Sequence, residues 1–281
     1  VYSAATPLTE PYQALDALVS ASPHGITKTK IGTSVQGRDM FEFVFRTQRP
    51  SLITHPDTVT DWDAEYKPEI LITCGLHGDE KGAVNGLVLL LNQMMETTTD
   101  KALMFIRNNC VLRILPVANP DGFEANTRNN ANNVDINRDM VALTQPESLV
   151  VKEFIDRYKD NASLLIDFHN TSLRTGLWAG ADSTFAKQTI SVLSGILQDD
   201  WVASDASLAA YTPLLEYWIH DHVTRTVYWY GNEVGIHTVT VEAARHTNSL
   251  KNVSTTTFDA LGIKSGMDML VNTIVAAVRS F

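Results

Sequence analysis

Two histidines and one glutamate carry the strongest chemical signal in this sequence. His77 and Glu80 lie three residues apart at the end of an apolar run, and His169 ends a second apolar run later in the chain. Two imidazole nitrogens and one carboxylate oxygen, with a fourth position open, are typical of hydrolytic zinc sites, because the open position admits the attacking water. The pattern therefore predicts a zinc-dependent hydrolase.

The elements around these residues are of the kind that brings distant ligands together. The run 70–76 is apolar and β-branched, turns at glycine and leads into 81–95, where apolar residues repeat at helical spacing. The run 164–168 precedes His169 in the same way. Ligands of open α/β sheets bind at the carboxyl ends of the strands, so we expect all three residues at one sheet edge.

Four further motifs follow along the chain. They are Asn119-Pro-Asp-Gly-Phe, Thr127-Arg-Asn with Asn133-Val-Asp-Ile-Asn-Arg-Asp, Asp167-Phe-His, and Thr238-Val-Thr-Val-Glu. With His77-Gly-Asp-Glu, and in this order, they resemble the zinc carboxypeptidase family typified by pancreatic carboxypeptidases A and B. The resemblance begins near residues 31–38 and covers most of the chain.

The resemblance implies one zinc ion bound by His77, Glu80 and His169, and a general base at Glu242. It also implies that Asp135 lies behind His77, where a carboxylate would receive the second ring N–H and fix the tautomer.

Substrate-holding roles follow for Arg128, Asn137 and Arg138. The planar fork of an arginine accepts a carboxylate through two parallel hydrogen bonds, so Arg138 suits the free C-terminus of a peptide. Arg128 would stabilise the oxyanion that forms on the scissile carbonyl. The family's exopeptidase activity is therefore the expected one.

The family's mobile tyrosine has several candidates in this chain. Tyr228 and Tyr230 are the nearest upstream of Glu242, and Tyr211 and Tyr217 are weaker candidates. Half-buried strand tyrosines are an equally good interpretation of each. The pocket that selects the leaving residue is expected within 226–240.

One residue departs from the pancreatic pattern and keeps other functions open. Asp79 stands where those enzymes carry arginine, and Gly-Asp-Glu is more similar to the aspartoacylase and succinylglutamate desuccinylase branch. The alternatives to a carboxypeptidase are an N-acyl amino acid deacylase, a murein-peptide amidase, a noncatalytic peptide-binding relative, and motifs that are turn chemistry alone. Substrate is therefore expected to be a peptide or an N-acyl amino acid.

The expected fold is α/β. With 281 residues, 44% of them hydrophobic and no Pro/Ser/Gly-rich linker, the chain predicts a single catalytic domain over 1–281, with the N-terminal segment and hairpin of 1–45 packed on it. Alternating strands and helices indicate a largely parallel sheet. The resemblance adds that this sheet is mixed, twisted, about eight-stranded and covered by helices on both faces.

The expected elements follow the hydrophobic periodicity. We predict a hairpin at 26–45, helices at 81–95, 147–158, 184–198 and 267–279, and strands at 70–74, 111–117, 164–168, 226–230 and 238–242. The segments 47–67 and 103–109 are predicted to be loops.

Charge and composition exclude some partners. The net charge of -10, with no basic stripe, argues against nucleic acid, and no uninterrupted apolar stretch is long enough to span a membrane. We expect a soluble protein, slightly favour the cytoplasm, and expect a processed or trimmed form because the chain begins at Val1. Oligomeric state is left open.

Other residues receive the simpler interpretation. Cys74 and Cys110 are predicted to be buried free thiols, although a bond between neighbouring strands stays open. His220 and His222 could hold a second metal, but solvated histidines are the commoner reading. Asp121 and Asp139 are assigned structural roles in turns.

Overall fold

The computed structural model describes residues 7–22, 25–46, 67–96, 99–171, 175–179, 187, 191, 215–219, 224–244 and 267–277. Within these ranges the helices are α1 (Thr9–Ala21), α2 (Lys81–Met95), α3 (Lys101–Asn109), α4 (Pro120–Ala125), α5 (Pro146–Tyr158) and α6 (Val227–Glu233), with a 3-10 turn at Ile136–Arg138 and helical residues at 267–277. The strands are β1 (Ile26–Thr33), β2 (Asp39–Arg46), β3 (Glu69–Cys74), β4 (Val111–Leu115), β5 (Ala162–Thr171), β6 (Thr175–Ala179), β7 (Leu215–Ile219) and β8 (Thr238–Ala244).

The described strands form one eight-stranded mixed sheet, in the order β1-β2-β4-β3-β5-β8-β6-β7. Its centre is parallel, because β4, β3, β5 and β8 run in one direction. The hairpin β1–β2 pairs antiparallel onto β4 at one side, and β6 pairs antiparallel onto β8 at the other. The mixed, largely parallel sheet and the hairpin are thus confirmed.

Alternation along the strands divides the core into two layers. In β3, Ile70 and Ile72 pack on the side of α1, α2, α3 and residues 267–277, whereas Leu71 packs on the side of α5 and α6. Successive strand side chains point to opposite faces, so both faces must be apolar where helices cover them. The expected helices on both faces are therefore confirmed.

Two predicted elements are wrong. The segment 103–109 is the body of α3, because Asp100 caps the helix by accepting the N–H groups of Ala102 and Leu103. The segment 226–230 begins α6 rather than forming a strand, because the hydroxyl of Thr226 accepts the N–H of Trp229 as an N-cap. At 103–109 the buried Leu103 and Ile106 also stand at helical spacing. At 226–230 the capping hydroxyl outweighs the β-propensity of the neighbouring residues.

Several expectations lie outside the described residues. These are most of the predicted helix 184–198, most of the predicted loop 47–67, the end of the last predicted helix, and the histidines of the possible second metal site, His220 and His222.

The two cysteines are buried free thiols, as predicted. Burial raises the pKa of the Cys110 thiol to about 12, so it stays protonated at neutral pH. None of the helices within the described ranges is both long and apolar enough to cross a bilayer.

Candidate metal centre and active site

The three predicted ligands come together at the carboxyl end of the sheet. His77 lies in the turn after β3, Glu80 is the N-cap residue of α2, and His169 lies in β5, which pairs with β3. One ligand atom from each lies within 4.8 Å of the other two, and all three residues are buried. Within the described chain, this is the cluster of histidine, cysteine and acidic residues that could hold a metal ion.

The orientation of each imidazole ring identifies the nitrogen that faces the shared centre. Nδ1 of His77 lies 2.9 Å from Oε1 of Glu80, and Nδ1 of His169 lies 2.9 Å from Oε2 of the same carboxylate. Nε2 of each ring points outward to other partners. Two Nδ1 atoms and a carboxylate converging on one point form a donor set that fits zinc.

Carboxylates lie behind both rings. Nε2 of His77 is 3.2 Å from Oδ1 of Asp135, the partner that the resemblance implies. Nε2 of His169 is 3.0 Å from Oδ2 of Asp167, whose other oxygen accepts the hydroxyl of Thr73. A carboxylate behind a ligating imidazole fixes the tautomer and raises its basicity.

Asp167 is a site residue that the sequence reasoning missed. It lies two positions before His169 on the same strand, so the two side chains share one face of the sheet. That spacing within Asp167-Phe-His is the signal that could have identified it.

Glu242 lies beside His169 in the neighbouring strand. β5 and β8 pair in parallel with His169 opposite Glu242 and Asp167 opposite Thr240, so these side chains project from one face. Oε2 of Glu242 is buried and makes no hydrogen bond within the described residues, although the residue as a whole is only partly buried. A buried, unsatisfied carboxylate oxygen is costly, which is characteristic of functional sites.

Arg128 reaches the centre from the loop after α4. Its Nε and Nη2 lie 3.0 and 2.8 Å from Oδ2 of Asp135, and its Nη1 lies 3.2 Å from Nδ1 of His77 and 3.8 Å from Oε1 of Glu80. The guanidinium is therefore held at the edge of the ligand cluster, with 45% of its side chain exposed.

Asn137 and Arg138 are placed differently, although they are adjacent. Asn137 is buried: its Oδ1 accepts the N–H of Val227, and its Nδ2 lies 3.2 Å from Nε2 of His169. Arg138 is exposed and donates to the carbonyl of Asn137 at 2.8 Å. The structure thus brings Asn137 to the ligands and leaves the fork of Arg138 open to solvent.

The two tyrosines lie on α6, with different surroundings. Tyr228 is buried in the core layer that contains α2. The hydroxyl of Tyr230 donates to Oδ1 of Asp156 on α5 at 2.7 Å. This second tyrosine is therefore engaged away from the ligand cluster.

The turn that carries His77 is tightly packed. Gly75 has φ +66°, a conformation that glycine adopts without a Cβ penalty. A Cβ on Gly78 would lie 1.9 Å from the carbonyl carbon of Gly122, so the turn touches the α4 backbone. Asn119 ties these segments together, since its Nδ2 donates to the carbonyls of Leu76 and Arg128.

The two turn aspartates have the structural roles that were expected. Asp121 accepts hydrogen bonds from Ser34, Gln36 and Arg38 and so binds the β1–β2 turn. Asp139 accepts the N–H groups of residues 144 and 145 and closes the loop before α5.

The electrostatics of the cluster shift several pKa values. Burial alone would lower the pKa of His169, but Asp167 and Glu80 raise it well above its usual value. Burial alone would also lower the pKa of His77, but Glu80 and Asp135 outweigh it and raise that pKa. For Glu80 burial acts upward, yet the two histidines hold its pKa well below the ordinary range.

Glu242 is shifted in the opposite direction. Burial raises its pKa to about 8, and the negative charges of Glu80 and Asp167 add to that rise, although His169 opposes it. A carboxyl group that titrates near neutral pH is suited to general acid and base chemistry.

Comparison with known proteins identifies the family. The family model described as zinc carboxypeptidase matches residues 11–184, which is more than half of the chain, so the chain belongs to the zinc carboxypeptidase family.

Individual relatives agree with this assignment. Carboxypeptidase SOL1 of Arabidopsis thaliana is 33% identical over 112 residues, covering 36% of this chain and 23% of that protein. Carboxypeptidase M of Mus musculus is 28% identical over 145 residues, covering 44% of this chain and 30% of that protein. Both matches therefore span less than a third of the relative.

The fold is similar to that of solved carboxypeptidases. Carboxypeptidase A from Helicoverpa armigera superposes with a TM-score of 0.69 at 18% identity, covering 98% of this chain and 73% of that one.

Proposed function

We propose that this chain is a zinc metallocarboxypeptidase that hydrolyses the C-terminal peptide bond of a peptide, with Glu242 as general base. The observation that carries the proposal is the convergence of the Nδ1 atoms of His77 and His169 on the carboxylate of Glu80. Glu242 stands next to His169 in the neighbouring strand. We also propose that 1–281 forms one catalytic domain.

The three converging residues would hold one zinc ion. Zinc when bound supplies Lewis acidity, lowering the pKa of a coordinated water and polarising a carbonyl group. Asp135 and Asp167 would orient the two imidazoles through their Nε2 atoms.

Glu242 would move the protons of the reaction. Its Oε2 has no hydrogen-bond partner within the described residues, so it can accept a proton from an attacking water without breaking an existing bond. It would then deliver that proton to the departing amine, as a general base that becomes the general acid does.

Arg128 would stabilise the negative charge on the scissile carbonyl oxygen. Its Nε and Nη2 donate to Asp135, which fixes the plane of the guanidinium, and its Nη1 points towards the ligand cluster. Loss of one such fixed donor typically costs about 3 kcal/mol of barrier.

Arg138 would bind the free C-terminal carboxylate, and Asn137, whose carbonyl accepts a hydrogen bond from Nη1 of Arg138, would hold it in place. The guanidinium of Arg138 is exposed and can offer two parallel N–H donors. The side chain of Asn137 would act indirectly, since both of its polar atoms already contact His169 and Val227. A clamp of this kind would restrict cleavage to the last residue of a chain.

The pocket for the leaving side chain is proposed within 226–240. In the fold this segment is α6, the following turn and the start of β8, which is the strand that carries Glu242. Val227 and Val239 are buried in the core. The half-buried Trp229 would favour an apolar leaving side chain, and the exposed Glu233 would favour a basic one.

The deciding experiment incubates the protein with a mixed peptide library and with N-acyl amino acids, with and without chelator, and identifies products by mass. Stepwise C-terminal shortening that chelator abolishes is expected. Release of acyl groups alone would replace the proposal with a deacylase, and no product in any zinc-loaded sample would replace it with a noncatalytic peptide-binding protein.

The role of Glu242 has its own test. Glu242→Gln should retain zinc, because Glu242 is not among the converging ligands, and should lower kcat by about 100-fold to 10,000-fold. Turnover of the zinc-loaded variant at the parent rate would remove Glu242 from the mechanism.

A further inference from the structure

Asn130 is a buried amide that forms every hydrogen bond its side chain can make. Its Nδ2 donates to Oε1 of Gln145 at 2.9 Å and to Oε2 of Glu147 at 3.0 Å. Its Oδ1 accepts the N–H groups of Asn132 and Val134. An asparagine has two donors and two acceptor sites, so this side chain is fully satisfied and held in one orientation.

These bonds close the loop that carries the active-site arginine. The backbone N–H of Asn130 donates to the carbonyl of Val134, and that residue's N–H returns to the Asn130 side chain, each at 3.0 Å. These two bonds hold residues 130 and 134 together. Arg128 and Asp135, which flank the bonded segment, are thereby brought close enough to form an ion pair. The pair reaches His77 from that position.

Glu147 anchors the closed loop to the rest of the fold. It lies in the first turn of α5 and is completely buried. One of its oxygens accepts from Asn130 and the other accepts the N–H of Val35 in the β1–β2 turn at 3.0 Å. This carboxylate therefore joins three segments that are distant in sequence.

We propose that Asn130 and Glu147 are positioning residues of the active site, whose mutual hydrogen bond holds Arg128 and Asp135 against His77. The inference rests on the proposed function for its effect on catalysis. Its effect on zinc affinity is independent of any peptide cleavage, since Asp135 backs a zinc ligand.

The donor and acceptor pattern of this pair allows an exchange test. Asn130→Asp removes the two donors and sets a carboxylate against the oxygen atoms of Gln145 and Glu147. Glu147→Gln puts an amide donor against either the Asn130 amide or the N–H of Val35. The double variant reverses the direction of the bond and keeps the total charge, leaving only Gln145 mismatched.

The experiment measures zinc affinity by competition with a chelator, and kcat/KM for a peptide per zinc-loaded chain. We expect each single variant to bind zinc about tenfold more weakly and to lose about tenfold to 100-fold in kcat/KM, because a displacement of about 1 Å has effects of that order. The double variant should recover most of both losses. Asn126→Asp on the same loop and Glu153→Gln on α5 are matched controls, since both residues are exposed, and they should behave as the parent.

The outcomes separate this proposal from the function itself. Single variants with the zinc affinity of the parent, or a double variant no better than either single one, would overturn the positioning role. A zinc-affinity cycle that follows the expectation in a protein that cleaves no peptide would support positioning and refute the proposed function. If Asn130→Asp does not fold, Glu147→Gln, compared with Glu153→Gln, decides by the same two measurements.

Discussion

Glu242 should carry a proton in the chelator-treated protein and release it when zinc binds. Its pKa is about 8, so at pH 7 most molecules have a protonated Glu242. A divalent cation among the neighbouring ligands favours the carboxylate, because an opposite charge lowers the pKa of an acid. Zinc binding at pH 7 should therefore expel close to one proton from this residue.

Glu242→Gln isolates that proton. Glutamine is neutral and nearly the same shape as the protonated glutamate, so the variant should leave the surrounding histidines in the environment they have in the parent at pH 7. Protons released by those histidines then cancel in the comparison. The parent should release nearly one proton more than the variant at pH 7.

Titration calorimetry can count these protons. The heat of zinc binding is measured at pH 7 in two buffers of different ionisation enthalpy, and its dependence on that enthalpy gives the number of protons released. Equal proton release by the parent and Glu242→Gln at pH 7 would refute the argument.

Three further predictions concern packing, pH and substrate binding. Gly78→Ala should lower the free energy of unfolding by about 1–3 kcal/mol and reduce zinc content, because its Cβ would lie 1.9 Å from the carbonyl carbon of Gly122. Urea unfolding and metal analysis measure the two quantities, and unchanged values would contradict the tight packing. In chelator, thermal stability should fall as pH rises above about 6.5, since His77 and His169 have raised pKa values and stabilise the fold only while they are protonated. A rise in thermal stability over that pH range in chelator would contradict the shifts, whereas a rise is expected with saturating zinc. Arg138→Ala should raise KM about tenfold for peptides with a free C-terminus and leave the slow cleavage of C-terminal amides unchanged. An equal effect on both substrates would show that Arg138 does not contact the substrate carboxylate.

The sequence predicted those parts of the fold that depend on local periodicity. The bounds of α2 agree with the expected 81–95, and the apolar runs before His77 and His169 are adjacent strands. Because the ligands follow directly on those strands, their convergence could be inferred from the chain alone. Which nitrogen of each imidazole faces the shared centre could not be inferred from the chain, since it depends on the carboxylate that lies behind each ring.

The features that escaped prediction depend on single capping groups or on distant partners. α6 begins at the hydroxyl of Thr226, and β-branched and aromatic residues around it had favoured a strand. The hydrogen bond between Asn130 and Glu147 joins two different segments, and Glu147 also accepts the N–H of Val35 from a third. That connection depends on the folded arrangement of all three segments. Neither residue type nor spacing identifies such an anchor.

The charges around the ligand cluster explain why protons and zinc must compete there. Its acids are Glu80, Asp135, Asp167 and Glu242, and its permanent cation is Arg128. If all four acids are ionised and both imidazoles are neutral, these groups sum to a charge of about -3, which burial makes unfavourable. Protons on the histidines and on Glu242 relieve that excess, and a divalent cation relieves the same excess. Zinc affinity should therefore rise with pH until the last of these protons is lost.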